Sequence, residues 1–226
     1  MHATLIDNRF LGGLFSTDAM RAVFSDRALI ARYLDAEVAL ARAEGQLGLI
    51  PADAARAIAD GAHGVDLDWE RLARETHNVG YPILPLVHQV AHGLGEAGKY
   101  LHWGATTQDI MDTALVLQIR GALDLLERDL RGVAAELRRL ARTYRDTPMA
   151  GRTHLQHALP TTFGLKCAIW LGMTERNLQR LGELRPRVLV GQFAGAGGTL
   201  ASLGTQGLAV QAAMMQALGL GVPATT

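Results

Sequence analysis

Four short polar clusters break the apolar patterning of this chain, and each carries side chains able to handle protons or anions. The first is Glu75-Thr76-His77-Asn78. The second is His102-Trp103-Gly104-Ala105-Thr106-Thr107-Gln108-Asp109, and the third is Gly151-Arg152-Thr153-His154-Leu155-Gln156-His157. The fourth is a glycine-rich run from Gly191 to Gly198, followed by Thr199. In the second cluster, Thr106 or Thr107 can cap a helix and Asp109 suits its first turn. The same hydroxyls, with the free amides of a helix start, would also receive a carboxylate or a phosphate. Both readings stand on these residues, and His102 nearby adds weight to the second.

In the third cluster a histidine, with a free pKa near ~6.5, can serve as general acid or base. A solvated loop between two helices is the plainer alternative. His154 and His157 are three apart, a spacing that suits a metal on a helix. No HExxH-type partner accompanies them, so no metal site is expected. His77 and Asn78 either line a site or form a turn before Pro82. The glycine run follows no strand and lacks a closing Lys-Ser/Thr pair, so it reads as backbone geometry rather than a nucleotide loop.

The elements that must position these clusters are helical. Apolar residues recur with the helical period throughout, and alternating β-type runs are nearly absent, which makes the chain all-α. Ser16 and Thr17 can cap a helix from Asp18 toward Gly48. Pro51 fits the first turn of a short helix to about Ala62. Further helices cover Asp68 to about Glu75 and the stretch after Pro82 and Pro85. From Thr107 to about Arg145, the residues Ile119, Leu123, Leu126, Leu130, Val133, Leu137, Leu140 and Tyr144 are spaced alternately by four and three, a heptad seam. Such a helix exceeds ~50 Å in length. A second long helix runs from Leu159 to about Leu184 ahead of Pro186, and a third begins near Thr205. Long antiparallel helices imply a bundle. Three per chain leave apolar faces open, so self-association is expected. The shift from short to long helices places a boundary near Gly104, giving an N-terminal helical domain (1–104) and a long-helix domain (105–226).

Composition narrows the function. Lys+Arg and Asp+Glu both number 22, and a net charge of zero argues against a nucleic-acid module. The single cysteine, Cys167, excludes an internal disulfide framework and a cysteine-based zinc site. No apolar run reaches the ~18 residues of a membrane span. The first twenty residues lack a basic start followed by an apolar stretch, so no leader is expected. A cytoplasmic protein without membrane or nucleic-acid partners is the resulting expectation.

Two motifs carry a family resemblance. His102-x-Gly104-x-Thr106-Thr107-Gln108-Asp109-x-x-Asp112-Thr113 resembles the H-x-G-x-T-S-x-D-x-x-D-T signature of the fumarase/aspartase superfamily. Gly151-Arg152-Thr153-His154-x-Gln156, followed by Pro160-x-Thr162-Phe163-Gly164, resembles its second region. The tracts Arg152–Pro160 and Gln192–Ala201 look most like the bacterial 3-carboxy-cis,cis-muconate cycloisomerases of that superfamily. His77-Asn78-Val79 resembles the H-D-V of adenylosuccinate lyases, with Asn in place of Asp.

The resemblance implies a homotetramer around a twenty-helix bundle, each active site being built from three subunits and binding a small di- or tricarboxylate. It implies that Thr106, Thr107 and Gln108 hold a substrate carboxylate at a helix start. Thr153 and His154 would face the substrate from a second subunit as the catalytic residues, with Gln156 of the same tract binding substrate. His77, Asn78 and His102 would line the same cleft. The implied reaction closes 3-carboxy-cis,cis-muconate to a carboxymuconolactone, as in aromatic degradation by the β-ketoadipate route, without any cofactor. A fumarate-releasing lyase and a non-catalytic helical scaffold are the alternatives. Thr107 stands where the superfamily has Ser. Its third signature, a G-S-S-x-M-P-x-K-x-N-P loop, is not found in these residues. The chain is therefore expected to be an N-terminal fragment with an incomplete bundle domain and impaired turnover on its own.

Overall fold

Capping residues set the N-terminal helices in this computed structural model, which describes residues 4–6, 8 and 10–225. The Thr17 hydroxyl accepts the Met20 N–H at 3.2 Å and opens α1 (Asp18–Val23). The Ser25 hydroxyl accepts the Ala28 N–H at 3.2 Å and opens α2 (Asp26–Gln46). The single helix expected from Asp18 is thus two, because Ser25 offers the backbone a second cap. Pro51 precedes α3 (Ala52–Gly61) as its cap rather than lying in its first turn. Asp68 caps α4 (Trp69–Val79), accepting the Arg71 N–H at 2.9 Å. This helix runs four residues past Glu75, so His77 and Asn78 are helical and form no turn before Pro82. It stops at Gly80, whose φ of 93° suits a residue without Cβ. Pro85 lies in the first turn of α5 (Ile83–Leu94), where its missing N–H breaks no helical bond.

Next come α6 (Thr107–Thr143), 37 residues and about 55 Å long, then α7 (Phe163–Val188) and α8 (Gly207–Leu218). Pro186 lies in the last turn of α7 instead of beyond it. The third helix is short, at 12 residues. Eight α-helices among the described residues make the fold all-α.

One element departs from that reading. Between α6 and α7, β1 (Pro148–Thr153) pairs antiparallel with β2 (Gln156–Thr162). The solvated loop considered for the third cluster is therefore a hairpin. Arg152 pairs with His157 and Thr153 with Gln156, which leaves His154 and Leu155 as the turn. Both have positive φ, 45° and 61°, as a tight hairpin turn matching the strand twist requires. The register shifts between Ala150 and Arg152. Gly151 sits at that irregularity, where a Cβ would lie 2.4 Å from the Leu159 carbonyl oxygen.

The described residues form two compact units. The first holds those up to Arg120 together with those from Arg187 onward; the second is Gly121–Pro186. In the first unit α2 packs against α3 and α8. Alanines and glycine permit this: a Cβ on Gly45 would fall 2.4 Å from that of Ala55. Tyr33, Leu40, Ile58, Leu86, Ile110, Phe193 and Met214 belong to one buried cluster. Each such side chain contributes about 1.5–3 kcal/mol by leaving water.

In the second unit α6 and α7 run antiparallel. Arg138 pairs with Glu175 at 2.7 Å, and Arg185 with Glu127 at 2.8 Å and Asp124 at 2.9 Å. Gly164 meets Ala141 and Tyr144 so closely that a Cβ would lie 2.7 Å from both carbonyl oxygens. This pair leaves part of the heptad stripe of α6 uncovered. Leu126 and Val133 of the seam are exposed, as are Ile169, Trp170 and Met173 on α7.

Candidate active site

Asp109 organises the second cluster. It is fully buried, and its carboxylate accepts three backbone N–H groups: Ala194 on Oδ1 at 2.9 Å, Gly195 on Oδ2 at 2.9 Å and Thr106 on Oδ2 at 3.0 Å. The Thr106 bond is the backward half of a capping box, made by an acid three residues into the helix. The other two tie the glycine-rich loop to the start of α6. One turn on, the buried Thr113 hydroxyl donates to the Gln192 carbonyl at 2.8 Å and receives the Gln192 N–H at 2.9 Å. Gln211 donates to the Phe193 carbonyl at 2.7 Å from the other side. The loop is thereby fastened to the start of α6 and to α8. Gly195 has a φ of 73°, and a Cβ there would lie 3.1 Å from the Gly104 carbonyl oxygen.

This arrangement bears on the choice between cap and ligand site at Thr106 and Thr107. The capping bond comes from Asp109. Neither threonine hydroxyl has a hydrogen-bond partner among the described residues, and both residues are half-buried. Two uncommitted hydroxyls at the N-terminus of a long helix can receive an anion, aided by the helix dipole. Gln108 is exposed and donates to Asp112 at 2.6 Å.

His102 stands beside this helix start. Its Nδ1 lies 2.6 Å from Oε1 of Glu37, which reaches it from the middle of α2. The backbone of His102 has a φ of 63°, and Gly104 follows at 72°. This left-handed turn carries the imidazole toward α2, and a side chain held there costs energy that the surrounding contacts must supply. Burial works against the imidazolium. The hydrogen bond and charge of Glu37, with Asp109 behind it, outweigh that effect and raise the His102 pKa above its ordinary value.

Two buried carboxylates on α2 were not singled out from sequence. Glu37 and Glu44 are 1% and 0% exposed, seven residues apart on one helix face. Glu37 Oε2 and both Glu44 oxygens have no hydrogen-bond partner among the described residues. Burial, and then the charge of Glu37, push the Glu44 carboxyl up to about 8. The available signal was an acid at each of two core-facing positions in the run Ala36-Glu37-Val38-Ala39-Leu40-Ala41 and onward to Glu44.

The other expected site residues lie elsewhere. His77 is in the last turn of α4, where a basic residue also suits the helix dipole. It lines a groove with Asp26, Ile30, Trp69 and Pro82, whereas Asn78 lines another with Glu75, Leu84 and His88. Among the described residues no hydrogen bond joins either to His102 or Thr106. Thr153, His154 and Gln156 are at the exposed tip of the hairpin in the second unit. The His154 imidazole has no hydrogen-bond partner among the described residues, and Leu155 beside it is fully exposed. Non-glycine residues strained at an exposed tip are the kind of geometry that accompanies function.

Comparison with known proteins accounts for this combination of motifs. The profile of a family described as Lyase matches residues 14–225. The chain is 48% identical over 223 residues to an N-acetyl-S-(2-succino)cysteine lyase of Dickeya dadantii, covering 99% of the chain and 49% of that protein. It is 50% identical over 220 residues to a 3-carboxy-cis,cis-muconate cycloisomerase of Pseudomonas aeruginosa, covering 96% and 48%. Among solved structures, a fumarate lyase from Mesorhizobium sp. BNC1 superimposes with a TM-score of 0.91 at 58% identity, covering 94% of this chain and 50% of that one. The chain thus spans about half the length of these relatives.

Proposed function

Because this chain belongs to the Lyase family, of the fumarase/aspartase superfamily, we propose that its protein is a cofactor-free cycloisomerase closing 3-carboxy-cis,cis-muconate to a carboxymuconolactone. The observation that carries the reading is the start of α6, where Asp109 supplies the cap and two threonine hydroxyls stay uncommitted beside His102. Such a site suits a carboxylate. The 50% identity to a muconate cycloisomerase supports the choice of substrate.

The chemistry asks little of the protein beyond placement. One carboxylate oxygen of the substrate forms a C–O bond to a carbon of a double bond in the same molecule. The π pair takes up a proton at the neighbouring carbon, so atoms and charge balance within one isomerisation. The nucleophile belongs to the substrate, and the protein's contribution is to fold the diene into attack geometry. In this reading Thr106, Thr107 and Gln108 hold one carboxylate, while His77, Asn78 and His102 line the cleft. Thr153 and His154, with Gln156 behind them, arrive from a second subunit, and His154 delivers the proton or stabilises charge. The assembly is a homotetramer of cytoplasmic subunits. In each, residues 1–104 form a helical domain and residues 105–226 begin the long-helix bundle. The exposed seam at Leu126 and Val133 supports this assembly.

A fumarate-releasing lyase is the second reading, favoured by the 58% identity to a fumarate lyase and the 48% identity to the succinylcysteine lyase. The reverse of the cycloisomerisation is itself a β-elimination, so one site serves either reaction. The test is to supply the full-length protein with 3-carboxy-cis,cis-muconate and, separately, with succinyl adducts. Loss of the conjugated diene's ultraviolet absorbance without fumarate release is expected. Fumarate release from an adduct, with the muconate untouched, would replace the first reading by the second.

A further inference from the structure

We infer that Glu37 is a positioning residue: its buried carboxylate fixes the tautomer and charge of His102, so that Nε2 is the edge presented to an anionic substrate. The inference rests on the reading of His102 as a substrate contact and adds the group behind it. Three observations carry it. Glu37 is 1% exposed, and its one hydrogen bond among the described residues, at 2.6 Å, goes to Nδ1 of His102. That bond commits Nδ1 as the donor and leaves Nε2 without a partner among the described residues. The His102 backbone adopts a left-handed conformation that delivers the ring to this carboxylate rather than away from it.

A buried acid contacting a single imidazole is a costly arrangement if its purpose is stability alone. Replacing a buried ion pair by apolar residues is often neutral or stabilising. Its effect on the histidine, by contrast, is direct. The charged groups acting on the ring are Glu37 from α2 and Asp109 from α6, and both favour the imidazolium. The Asp109 oxygens are already engaged by three backbone amides, so Glu37 is the group in contact. His102 therefore keeps its proton to higher pH than a free histidine, and a carboxylate bound at Nε2 meets a cation.

The experiment follows His102 without needing turnover. In the full-length protein, exchange of the imidazole Cε1 hydrogen for deuterium, read by mass spectrometry on the peptide carrying His102, reports the ring's titration. In Glu37→Gln the midpoint is expected to fall by about one pH unit or more. Glu44→Gln, a neutral replacement on the same helix face, is expected to leave it in place. In steady-state kinetics Glu37→Gln should raise KM about tenfold with a much smaller change in kcat, and move the alkaline limb of kcat/KM to lower pH. Should Glu37→Gln fail to assemble, Glu37→Asp keeps the charge but withdraws it by one methylene, and a smaller fall in the same direction is expected. An unmoved His102 midpoint in the folded variants overturns the inference, whatever happens to stability. A moved midpoint with unchanged KM leaves Glu37 as the group setting the charge of His102 but overturns the reading of His102 as a substrate contact.

Discussion

Replacing Asp109 by Ala should free the glycine-rich loop from the start of α6, and the size of the effect follows from its bonds. The carboxylate accepts N–H groups from Thr106, Ala194 and Gly195 at 2.9–3.0 Å in a fully buried position. Thr106 is half-buried and can turn to water. Ala194 and Gly195 are buried, and their amides lose their acceptor. An orphaned buried donor costs about 1–3 kcal/mol, so two cost about 2–6 kcal/mol. Exposed Ala196 lets the loop relax toward solvent, which favours the lower part, about 2–4 kcal/mol. In local opening that is a rise of roughly 30- to 1,000-fold in amide exchange. The assay is hydrogen exchange by mass spectrometry on peptides spanning residues 189–200, with α2 as internal reference. Asp109→Asn should fall between wild type and Asp109→Ala, since one oxygen remains as acceptor. Less than a threefold change in the loop of Asp109→Ala, with α2 unaltered, would refute the fastening role. So would equal acceleration of loop and helix, which would mean a global rather than local contribution.

Two further outcomes are expected. The folded-state pKa of Glu44, about 8, exceeds its ordinary 4.5, so its contribution to stability is full below about 4.5 and is lost as pH rises toward 8. The wild type should lose stability relative to Glu44→Gln by at most ~1.4 kcal/mol per pH unit across that window, read by denaturant titration at fixed protein concentration; parallel pH profiles would contradict the assignment. Glu at both Leu126 and Val133 places charge on the exposed seam, and sedimentation should show a smaller species with helix content retained. An unchanged assembly would remove the seam from the interface.

Much of the fold could be read from sequence because its determinants are local. Thr17 and Asp68 act within three residues, and the heptad spacing of α6 needs no partner to be visible. The hairpin was hidden because alternation shows only where one face is buried, and most of its residues are exposed on both. Its turn also lacks glycine: His154 and Leu155 hold positive φ without the residue that normally announces it. The Glu37–His102 contact joins positions 65 apart, and a lone acid in a helix looks like a solvated face until its partner is located. Asp109 was legible as a first-turn acid, but its two bonds to Ala194 and Gly195, some 85 residues on, were not.

The proposal that His154 at the exposed hairpin tip carries chemistry on a carboxylate held at the start of α6 has one direct measurement. It is the turnover of 3-carboxy-cis,cis-muconate by the full-length protein and by its His154→Asn variant, each first shown to assemble alike. The account predicts loss of the diene absorbance with wild type and a fall of at least about a hundredfold in kcat for the variant. Equal turnover by the two proteins would contradict it.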